Sequence, residues 1–308
     1  MDLLDKALFQ ELSNNCRVSF TDLSKKYDVS VNTIKNRVED MLKHGIIESF
    51  DVQLKLSLYN ASFALIILRL KHLFTKQEQD EIGNYSFITS VSTGMQLDGQ
   101  VVIVYRNNSE LNQVIEFLRS SENVKELEVF QMLPPPSSAV GLPASKKLDA
   151  LKKIDWKILH KLRWNGRMPI KDLAKELGKS AATVRKRLDF MREQGFLYET
   201  ILTNIGVVDP GFAITYGLEF PEISIEDQLE MDKEMRLIFE DSFIVSWKVV
   251  DRPMIFMTFQ VSNATEAQEI QARLVVKYPE HLSITQAISG RWKYYRDFRD
   301  EILEDRAR

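Results

Sequence analysis

The chain has 308 residues, enough for two to four compact domains, and its 44% hydrophobic and 28% charged residues are ordinary for a globular protein. Its single cysteine, Cys16, excludes an internal disulfide framework and favours a reducing, cytoplasmic location. No apolar run approaches the roughly 20 residues needed to span a bilayer, so no membrane partner is predicted. The net charge of −3 does not by itself indicate nucleic-acid binding, although cations can be concentrated in one segment.

The sequence repeats itself without a gap at an offset of 150 positions. Apolar residues between the identical positions are replaced by other apolar residues, which indicates a duplication. A proline-rich segment, 134–147, precedes the second copy and is predicted as a linker, because proline interrupts helices and central strands. The identical pairs include Asp5/Asp155, Asn15/Asn165, Arg17/Arg167, Ser30/Ser180, Arg37/Arg187 and Gly45/Gly195.

Each copy opens with a pattern typical of three short helices followed by a strand. The third helix begins after Ser30 or Ser180, whose hydroxyl can cap the first turn, and ends at Gly45 or Gly195. Two short helices joined by a tight turn and braced by a third form a helix-turn-helix, and the apolar residues after each glycine suit the start of a wing. Residues 1–52 and 148–208 are therefore predicted as winged helix-turn-helix domains.

The segment after each winged domain alternates between strand and helix patterns. In both copies the order is strand–helix–strand–strand–helix–strand, which is the order of a ferredoxin-like βαββαβ domain. Residues 53–133 and 209–290 are predicted as two such domains, so the fold class is α+β. The last segment, 291–308, is predicted as a helix whose aromatic residues dock on a sheet domain or on a partner subunit.

The third helix of each copy carries side chains suited to DNA. Its polar residues lie opposite the buried stripe, where they fit the major groove, while the arginine beside the stripe and the serine at the N-terminus suit phosphates. The predicted DNA-binding residues are Ser180, Ala182, Thr183, Arg185, Lys186 and Arg187 in the second copy and Ser30, Asn32, Thr33, Lys35, Asn36 and Arg37 in the first.

Charge is distributed unequally between the two copies. Residues 152–197 contain thirteen Lys or Arg and five Asp or Glu, a balance of +8, whereas residues 4–47 contain seven and six, a balance of +1. Solvated cations on a structural helix would give a similar run, but the local excess on a repeated helix-turn-helix favours double-stranded DNA as the partner. For the first copy alone, a protein-interaction role without DNA binding stays open.

The two runs DLAKELGKSAATVRKRLDFMREQGFL and DLSKKYDVSVNTIKNRVEDMLKHGII resemble the DNA-binding unit of the Lrp/AsnC transcription regulators, here in tandem. The resemblance implies a cytoplasmic regulator rather than an enzyme, with sheet domains that pair as a homodimer or as an intrachain pseudo-dimer. It also implies a small-molecule effector, such as an amino acid, near a loop with glycine and aspartate; an ordinary hairpin turn fits these loops as well. The matching positions are Thr93, Gly94 and Asp98 in the first copy and Asp251 in the second.

The residues give little support for an enzyme. The four histidines lack metal-ligand spacing, Cys16 has no paired histidine and no nucleotide-binding glycine motif is present, so neither a metal nor a cofactor is predicted. One alternative stays open, because siroheme decarboxylases resemble paired Lrp/AsnC-type subunits and a fused pair would have this architecture. The candidate tetrapyrrole contacts are His281, Arg291, Tyr294 and Tyr295.

Overall fold

The computed structural model describes residues 2–94, 97–133, 148–204, 211–239, 242–279 and 285–308. These residues form two compact units. The helical unit contains residues 2–61, 148–203 and 296–308, and the sheet unit contains residues 62–133 and 204–295, with the gaps given above. The predicted linker, 134–147, lies outside the described residues. No helix within the described ranges is both long and apolar enough to cross a membrane.

The first winged domain consists of three helices and one strand. Side chains at Asp2, Ser19 and Ser30 accept hydrogen bonds from first-turn amides, so each helix begins at a cap. Gly45 has a φ of +70°, which lets the chain leave the third helix and start the strand as predicted. The elements are α1 (Leu3–Asn14), α2 (Phe20–Lys26), α3 (Val31–Lys43) and β1 (Ile47–Leu54).

The first sheet domain is an antiparallel sheet with two helices on one face. Its strand order is β3-β4-β2-β5, and the core lies between the helices and the apolar side chains of the central strands. This is the order expected for a ferredoxin-like domain. The elements are β2 (Ser62–Leu70), α4 (Lys76–Gly83), β3 (Ile88–Thr93), β4 (Asp98–Tyr105), α5 (Asn108–Arg119) and β5 (Val124–Met132).

The second winged domain repeats the first. Ser180 caps its third helix through the amide of Thr183, and Gly195 at φ +67° ends the helix as Gly45 does in the first copy. The elements are α6 (Lys153–Leu162), α7 (Ile170–Leu177), α8 (Ala181–Glu193) and β6 (Leu197–Thr203).

The second sheet domain has the same topology as the first, with strand order β10-β7-β9-β8. The predicted fold class, two winged helix-turn-helix domains each followed by a ferredoxin-like domain, is therefore confirmed. The elements are β7 (Phe212–Glu219), α9 (Ile225–Phe239), β8 (Phe243–Lys248), β9 (Met254–Val261), α10 (Ala264–Lys277) and β10 (Thr285–Ser289).

The C-terminal segment differs from the single helix predicted over 291–308. It begins with a short strand, β11 (Trp292–Tyr294), which pairs with β3 of the first sheet domain. The helix α11 (Phe298–Ala307) starts only after Asp297, whose carboxylate accepts a hydrogen bond from the amide of Arg299. Because the residues before Asp297 pair with β3, the aromatic rings of this segment are divided between the sheet unit and the helical unit. Tyr295 joins the first sheet core, whereas Phe298 packs edge-to-face on Tyr59 in the helical unit.

The two winged domains are joined within the helical unit by their strands. β1 and β6 pair antiparallel from Ile47–Thr203 to Leu54–Leu197, so each domain contributes one strand and the two share a single wing sheet. Two duplicated arginines reinforce this pairing reciprocally. Arg17 donates to the carbonyl of Met168 at 3.2 Å, and Arg167 donates to the carbonyl of Val18 at 3.0 Å. The paired domains therefore hold α3 and α8 in a fixed relation.

The two sheet domains also contact each other within the chain. The end of β5 meets the residues after β8 through a Met132–Val249 bridge, and Leu133 donates its amide to the carbonyl of Lys248 at 2.9 Å. Phe130 packs edge-to-face on Phe256 with ring centroids 4.9 Å apart. The β11–β3 ladder also covers the β3 edge of the first sheet with backbone from the C-terminal segment. The two sheet domains therefore touch within the chain, and their pairing as a pseudo-dimer stays a prediction.

Gly166 lies where the second winged domain meets β1. A Cβ at this position would lie 2.9 Å from the Asp51 amide nitrogen and 3.0 Å from the Cys16 sulfur. We expect Gly166→Ala to lower the free energy of unfolding by about 1–3 kcal/mol through overpacking. Denaturant titration followed by circular dichroism would measure this, with the exposed neighbour Asn165→Ala expected to change it by less than about 0.5 kcal/mol. Equal effects of the two substitutions would contradict the prediction.

Cys16 is fully buried beneath the shared wing sheet. Burial raises the pKa of its thiol to about 12, so the reactive thiolate is strongly disfavoured at pH 8. We expect a chromogenic aromatic disulfide to release no colour from the folded protein over minutes and one equivalent after guanidinium is added. Complete modification of the folded protein at pH 8 would show that Cys16 is accessible.

Candidate nucleic-acid interface

The outer face of α8 is available to a ligand. Val184, Leu188 and Met191 are buried on the inner side of the helix. The Ser180 hydroxyl accepts the amide of Thr183 at 3.1 Å and lies 2.8 Å from the Thr183 hydroxyl, so the first turn is held by its cap. The exposed predicted DNA-binding residues of this helix and its cap are Ser180, Ala182, Thr183, Arg185 and Lys186. We call α8 and its counterpart α3 the recognition helices.

The outer face of α3 has the same geometry and less free charge. The Ser30 cap accepts the amide of Thr33 at 3.0 Å, as in the second copy. Lys35 lies 3.7 Å from Glu39 one turn later, so its charge is partly neutralised. Among the predicted residues of this helix, Asn32, Lys35 and Asn36 are exposed and Thr33 is half-buried. Asparagine can still read adenine, but the electrostatic attraction to phosphates is weaker.

The arginines predicted to contact phosphates make ion pairs inside their own domains. Arg187 donates from Nε to one carboxylate oxygen of Asp155 at 2.6 Å and from Nη2 to the other. Asp155 is fully buried. This hydrogen bonding raises the pKa of the Arg187 guanidinium. In the first copy Arg37 lies 2.8 Å from Asp2 and 3.4 Å from Asp5. Each pair ties a recognition helix to the first helix of its domain, and the phosphate role of both arginines stays a prediction.

Three further cations of the second winged domain lie on the helix-turn-helix beside the recognition helix. The predicted DNA-binding residues did not include them, because that prediction named only the recognition helix and its cap. Lys171 and Lys175 lie on α7 and Lys179 lies in the turn before α8, and all three are exposed. Among the described residues, no carboxylate lies within 4 Å of these lysines or of Arg185 and Lys186. We call these five residues the cationic face. The first copy has Thr21, Lys25 and Val29 at the three lysine positions, and that contrast was the available signal.

The +8 balance of the second copy is not all surface charge. Arg163 pairs with buried carboxylates, Arg167 binds backbone carbonyls and Arg192 forms a 2.8 Å ion pair with Glu199. Lys161 lies 2.8 Å from Glu176 on α7. Because these cations have structural partners, the remaining positive charge, apart from Lys152, Lys153 and Lys157 at or in α6, lies on α7, α8 and the turn between them. That is where a groove-binding helix and a backbone-crossing helix need it.

The predicted effector residues lie on two different hairpins of the sheet unit. Thr93 ends β3 and Asp98 begins β4, while the Gly94 amide donates to the Asp98 carbonyl at 2.8 Å. The Asp98 carboxylate covers Gly94 so closely that a side chain there would collide with it. Asp251 belongs to the second sheet domain, where its carboxylate accepts the amide of Gln131 at 3.2 Å. Effector binding at these four residues stays a prediction.

Three of the four residues considered for a tetrapyrrole lie in or beside β11, in the sheet unit. Tyr295 donates to Asp80 at 2.9 Å and fills the space beside Gly83, so its hydroxyl has a structural partner. Arg291 and Tyr294 flank or belong to β11, and His281 lies outside the described residues. Within the described ranges, no group of three His, Cys, Asp or Glu side chains is placed to hold a metal ion.

Comparison with known proteins supports both the repeat and the fold. Residues 1–48 and 151–198 each match the family model for winged helix-turn-helix DNA-binding domains. An uncharacterized HTH-type transcriptional regulator of Pyrococcus horikoshii is 24% identical over 136 residues, which cover 43% of this chain and 91% of that protein. One from Pyrococcus furiosus is 38% identical over 69 residues, covering 21% of this chain and 46% of its own length.

Solved structures of a siroheme decarboxylase match nearly the whole length of the chain. NirDL aligns with a TM-score of 0.57 over 99% of this chain and 98% of its own, at 13% sequence identity. At this identity the match shows the fold alone. The predicted resemblance to tandem helix-turn-helix regulators is confirmed by the two family matches and by the similarity to HTH-type transcriptional regulators.

The Asp155–Arg187 pair gives a matched stability prediction. Asp155 is fully buried, whereas its counterpart Asp5 is half-buried near Arg37. We expect Asp155→Asn to lower the free energy of unfolding by about 2–4 kcal/mol, because it leaves Arg187 without its buried counter-charge. Asp5→Asn is expected to cost less than about 1 kcal/mol. Thermal and denaturant unfolding of the two variants would compare them, and a larger loss for Asp5→Asn would refute the assignment.

Proposed function

We propose that this chain, which carries the winged helix-turn-helix DNA-binding domain twice, is a sequence-specific DNA-binding transcription regulator of Lrp/AsnC type. The observation that carries the proposal is the cationic face, defined above by Lys171, Lys175, Lys179, Arg185 and Lys186. These side chains are exposed on the second of the two winged helix-turn-helix domains, a motif whose shape fits a DNA groove. An excess of unpaired cations in that place supplies the counterion-release affinity that DNA binding needs.

The residues of the cationic face and its neighbours have different roles in this proposal. Arg185 and Lys186 point from the recognition helix into the major groove, where long cationic side chains can pair with guanine. Lys171, Lys175 and Lys179 bind phosphates on the flank, which positions the helix without reading sequence. Ser180 and Thr183 at the helix N-terminus add phosphate contacts. Arg187 acts indirectly, since its ion pair with Asp155 holds the helix in place.

In this proposal the shared wing sheet joins two recognition helices that differ in charge, so the DNA site is asymmetric. The two recognition helices are held in one helical unit, so they meet two half-sites about one helical turn apart. The second winged domain contributes most of the phosphate affinity. The first contributes the weaker contacts of Ser30, Asn32, Thr33, Lys35, Asn36 and Arg37. The regulator therefore needs a strong and a weak half-site.

Salt-dependent binding to duplexes selected from a random pool tests the proposal. We expect Arg185→Ala/Lys186→Ala to weaken binding by roughly 10- to 1,000-fold and to relax specificity in the strong half-site. Lys171→Ala/Lys179→Ala should weaken binding to all sequences and lower the slope of log affinity against log salt by about 2, since each phosphate contact contributes about 0.9.

The duplicated domain supplies the matched control. Lys35→Ala/Asn36→Ala changes the positions equivalent to Arg185 and Lys186 and is expected to cost less affinity, because Lys35 already pairs with Glu39. Arg187 is left unchanged, since its substitution would also destabilise the fold. Unchanged affinity and unchanged salt slope in both variants of the second domain would refute the proposal.

The proposal includes an effector site in the sheet unit. Thr93, Gly94 and Asp98 on one hairpin, with Asp251 on the other, would bind a small polar molecule such as an amino acid. The support is the closeness of the Asp98 carboxylate to Gly94, whose amide donates to the Asp98 carbonyl at 2.8 Å. A screen of the twenty amino acids by thermal shift, with Asp98→Asn as the variant that loses the response, would test this part separately from DNA binding.

A second candidate function has one specific observation in its favour. The fold of the siroheme decarboxylase NirDL extends over 99% of this chain. In that case the sheet unit would bind a tetrapyrrole, with His281, Arg291, Tyr294 and Tyr295 as the candidate contacts. Titration of the purified protein with siroheme would show a shifted absorption band that is lost in Arg291→Ala. No spectral change at micromolar siroheme would remove this candidate.

A further inference from the structure

A buried cluster of charges joins the two winged domains on one side of the shared wing sheet. Arg163, at the end of α6, donates to Asp51 on β1 at 2.5 Å and to Asp300 on α11 at 2.9 Å. Its guanidinium also lies over the Trp164 ring, 4.0 Å from the centroid. One side chain thus contacts the first winged domain, the second winged domain and the C-terminal helix. We call Arg163, Asp51 and Asp300 the clasp.

A second arginine connects the same elements. Arg299 on α11 donates from Nη1 to Gln53 on β1 at 2.6 Å and pairs with Asp297 at 2.6 Å. Asp51, Asp297 and Asp300 are all at most 5% exposed, so these charges are shielded from solvent and depend on one another. Burial alone would lower the pKa of Arg163, but Asp51 and Asp300 raise it, so the guanidinium stays charged.

The clasp has no counterpart in the duplicated half of the molecule. At the offset of 150, Arg163 corresponds to Ser13 and Asp51 to Ile201. On that side the contacts are a Thr200 hydroxyl that donates to the Ser13 carbonyl at 2.9 Å and a Cys16 amide that donates to the Glu199 carbonyl at 3.3 Å. Pairing of the two domains therefore does not require such a cluster, and the clasp adds a constraint beyond the pairing itself.

The clasp restrains the two-stranded wing sheet that joins the two winged domains. The wing sheet has only two strands, and two strands alone twist and bend more readily than a larger sheet. The clasp fixes β1 to the end of α6 and to α11, whose Arg306 lies 5.9 Å from the centroid of the Trp156 ring on α6. Rotation of one winged domain against the other would break buried ion pairs and leave charges unpaired.

We propose that Arg163 is a positioning residue, which fixes the two recognition helices at one separation and so sets the spacing of half-sites that the chain accepts on DNA. The inference rests on the proposed function for its DNA part. A rigid pair of readers binds both half-sites together only when their spacing matches, and a loose pair tolerates several spacings with lower avidity. Arg163 touches no DNA in this assignment.

The first arm of the test measures the geometry without DNA. Nitroxide labels at Glu39→Cys and Asp189→Cys occupy equivalent positions on the two recognition helices, and the buried Cys16 stays unlabelled. Pulsed dipolar spectroscopy should give a narrow distance distribution in the otherwise unchanged chain and a distinctly broader one in Arg163→Gln. Asp300→Asn keeps the Arg163–Asp51 contact and should give intermediate broadening, so the test does not depend on one variant folding.

The second arm measures affinity for duplexes whose half-site spacing changes in steps of one base pair. The unchanged chain should lose about tenfold or more in affinity two base pairs from its optimum, and Arg163→Gln less than about threefold. Arg236→Gln is the matched control, because it removes the 3.0 Å arginine–carboxylate pair with Asp232 in the second sheet domain and should leave the distance width and the spacing profile unchanged.

The outcomes separate the two proposals. Unchanged distance widths and unchanged spacing profiles in both Arg163→Gln and Asp300→Asn would overturn the role of the clasp. Absence of DNA binding by the unchanged chain would overturn the proposed function and the spacing role with it, while the distance measurement would still decide whether the clasp fixes the helices.

Discussion

The backbone ladder between β1 and β6 is the constraint on which the helical unit depends. Among the described residues of each winged domain, one strand follows the recognition helix, and a lone strand leaves its amides and carbonyls without strand partners. Pairing the two strands satisfies the groups on the edge that each strand turns towards the other. The reciprocal contacts of Arg17 and Arg167 then follow, because each guanidinium meets carbonyls that only the other domain provides. Duplication has thus produced two domains that complete each other.

The two copies share residues that make structural contacts and differ at several exposed positions. Several residues with structural partners recur in both copies, among them the arginines of the pairing contacts and the Asp–Arg pair behind each recognition helix. Three of the five positions of the cationic face diverged, so that the second copy carries Lys171, Lys179 and Lys186 where the first carries neutral side chains. A two-fold scaffold with a one-sided charge pattern can read a DNA site in one orientation only, which a symmetric dimer cannot do.

Much of the fold could be predicted from the sequence, because helix caps, terminal glycines and apolar spacing are local signals. Ser180 and Gly195 bound the second recognition helix where the pattern indicated. The shared wing sheet, the clasp at Arg163 and the strand at Trp292–Tyr294 could not, since each depends on residues far apart in the chain. The phosphate role of Arg187, predicted from its place on the helix, stays a prediction. Its ion pair with Asp155 is a structural role that the recurrence of both residues as Asp5 and Arg37 in the first copy could have indicated.

The strand at Trp292–Tyr294 has a consequence for the order in which the protein can be made. Trp292 pairs with Ser92, which precedes it by 200 residues, so the sheet of the first copy gains its fifth strand only after the second copy has been synthesised. Until then β3 is an uncovered edge on a growing chain, open to pairing with the wrong strand. Contacts over such long separations form slowly. The five-stranded sheet of the first copy therefore forms in full only after the second copy has been synthesised.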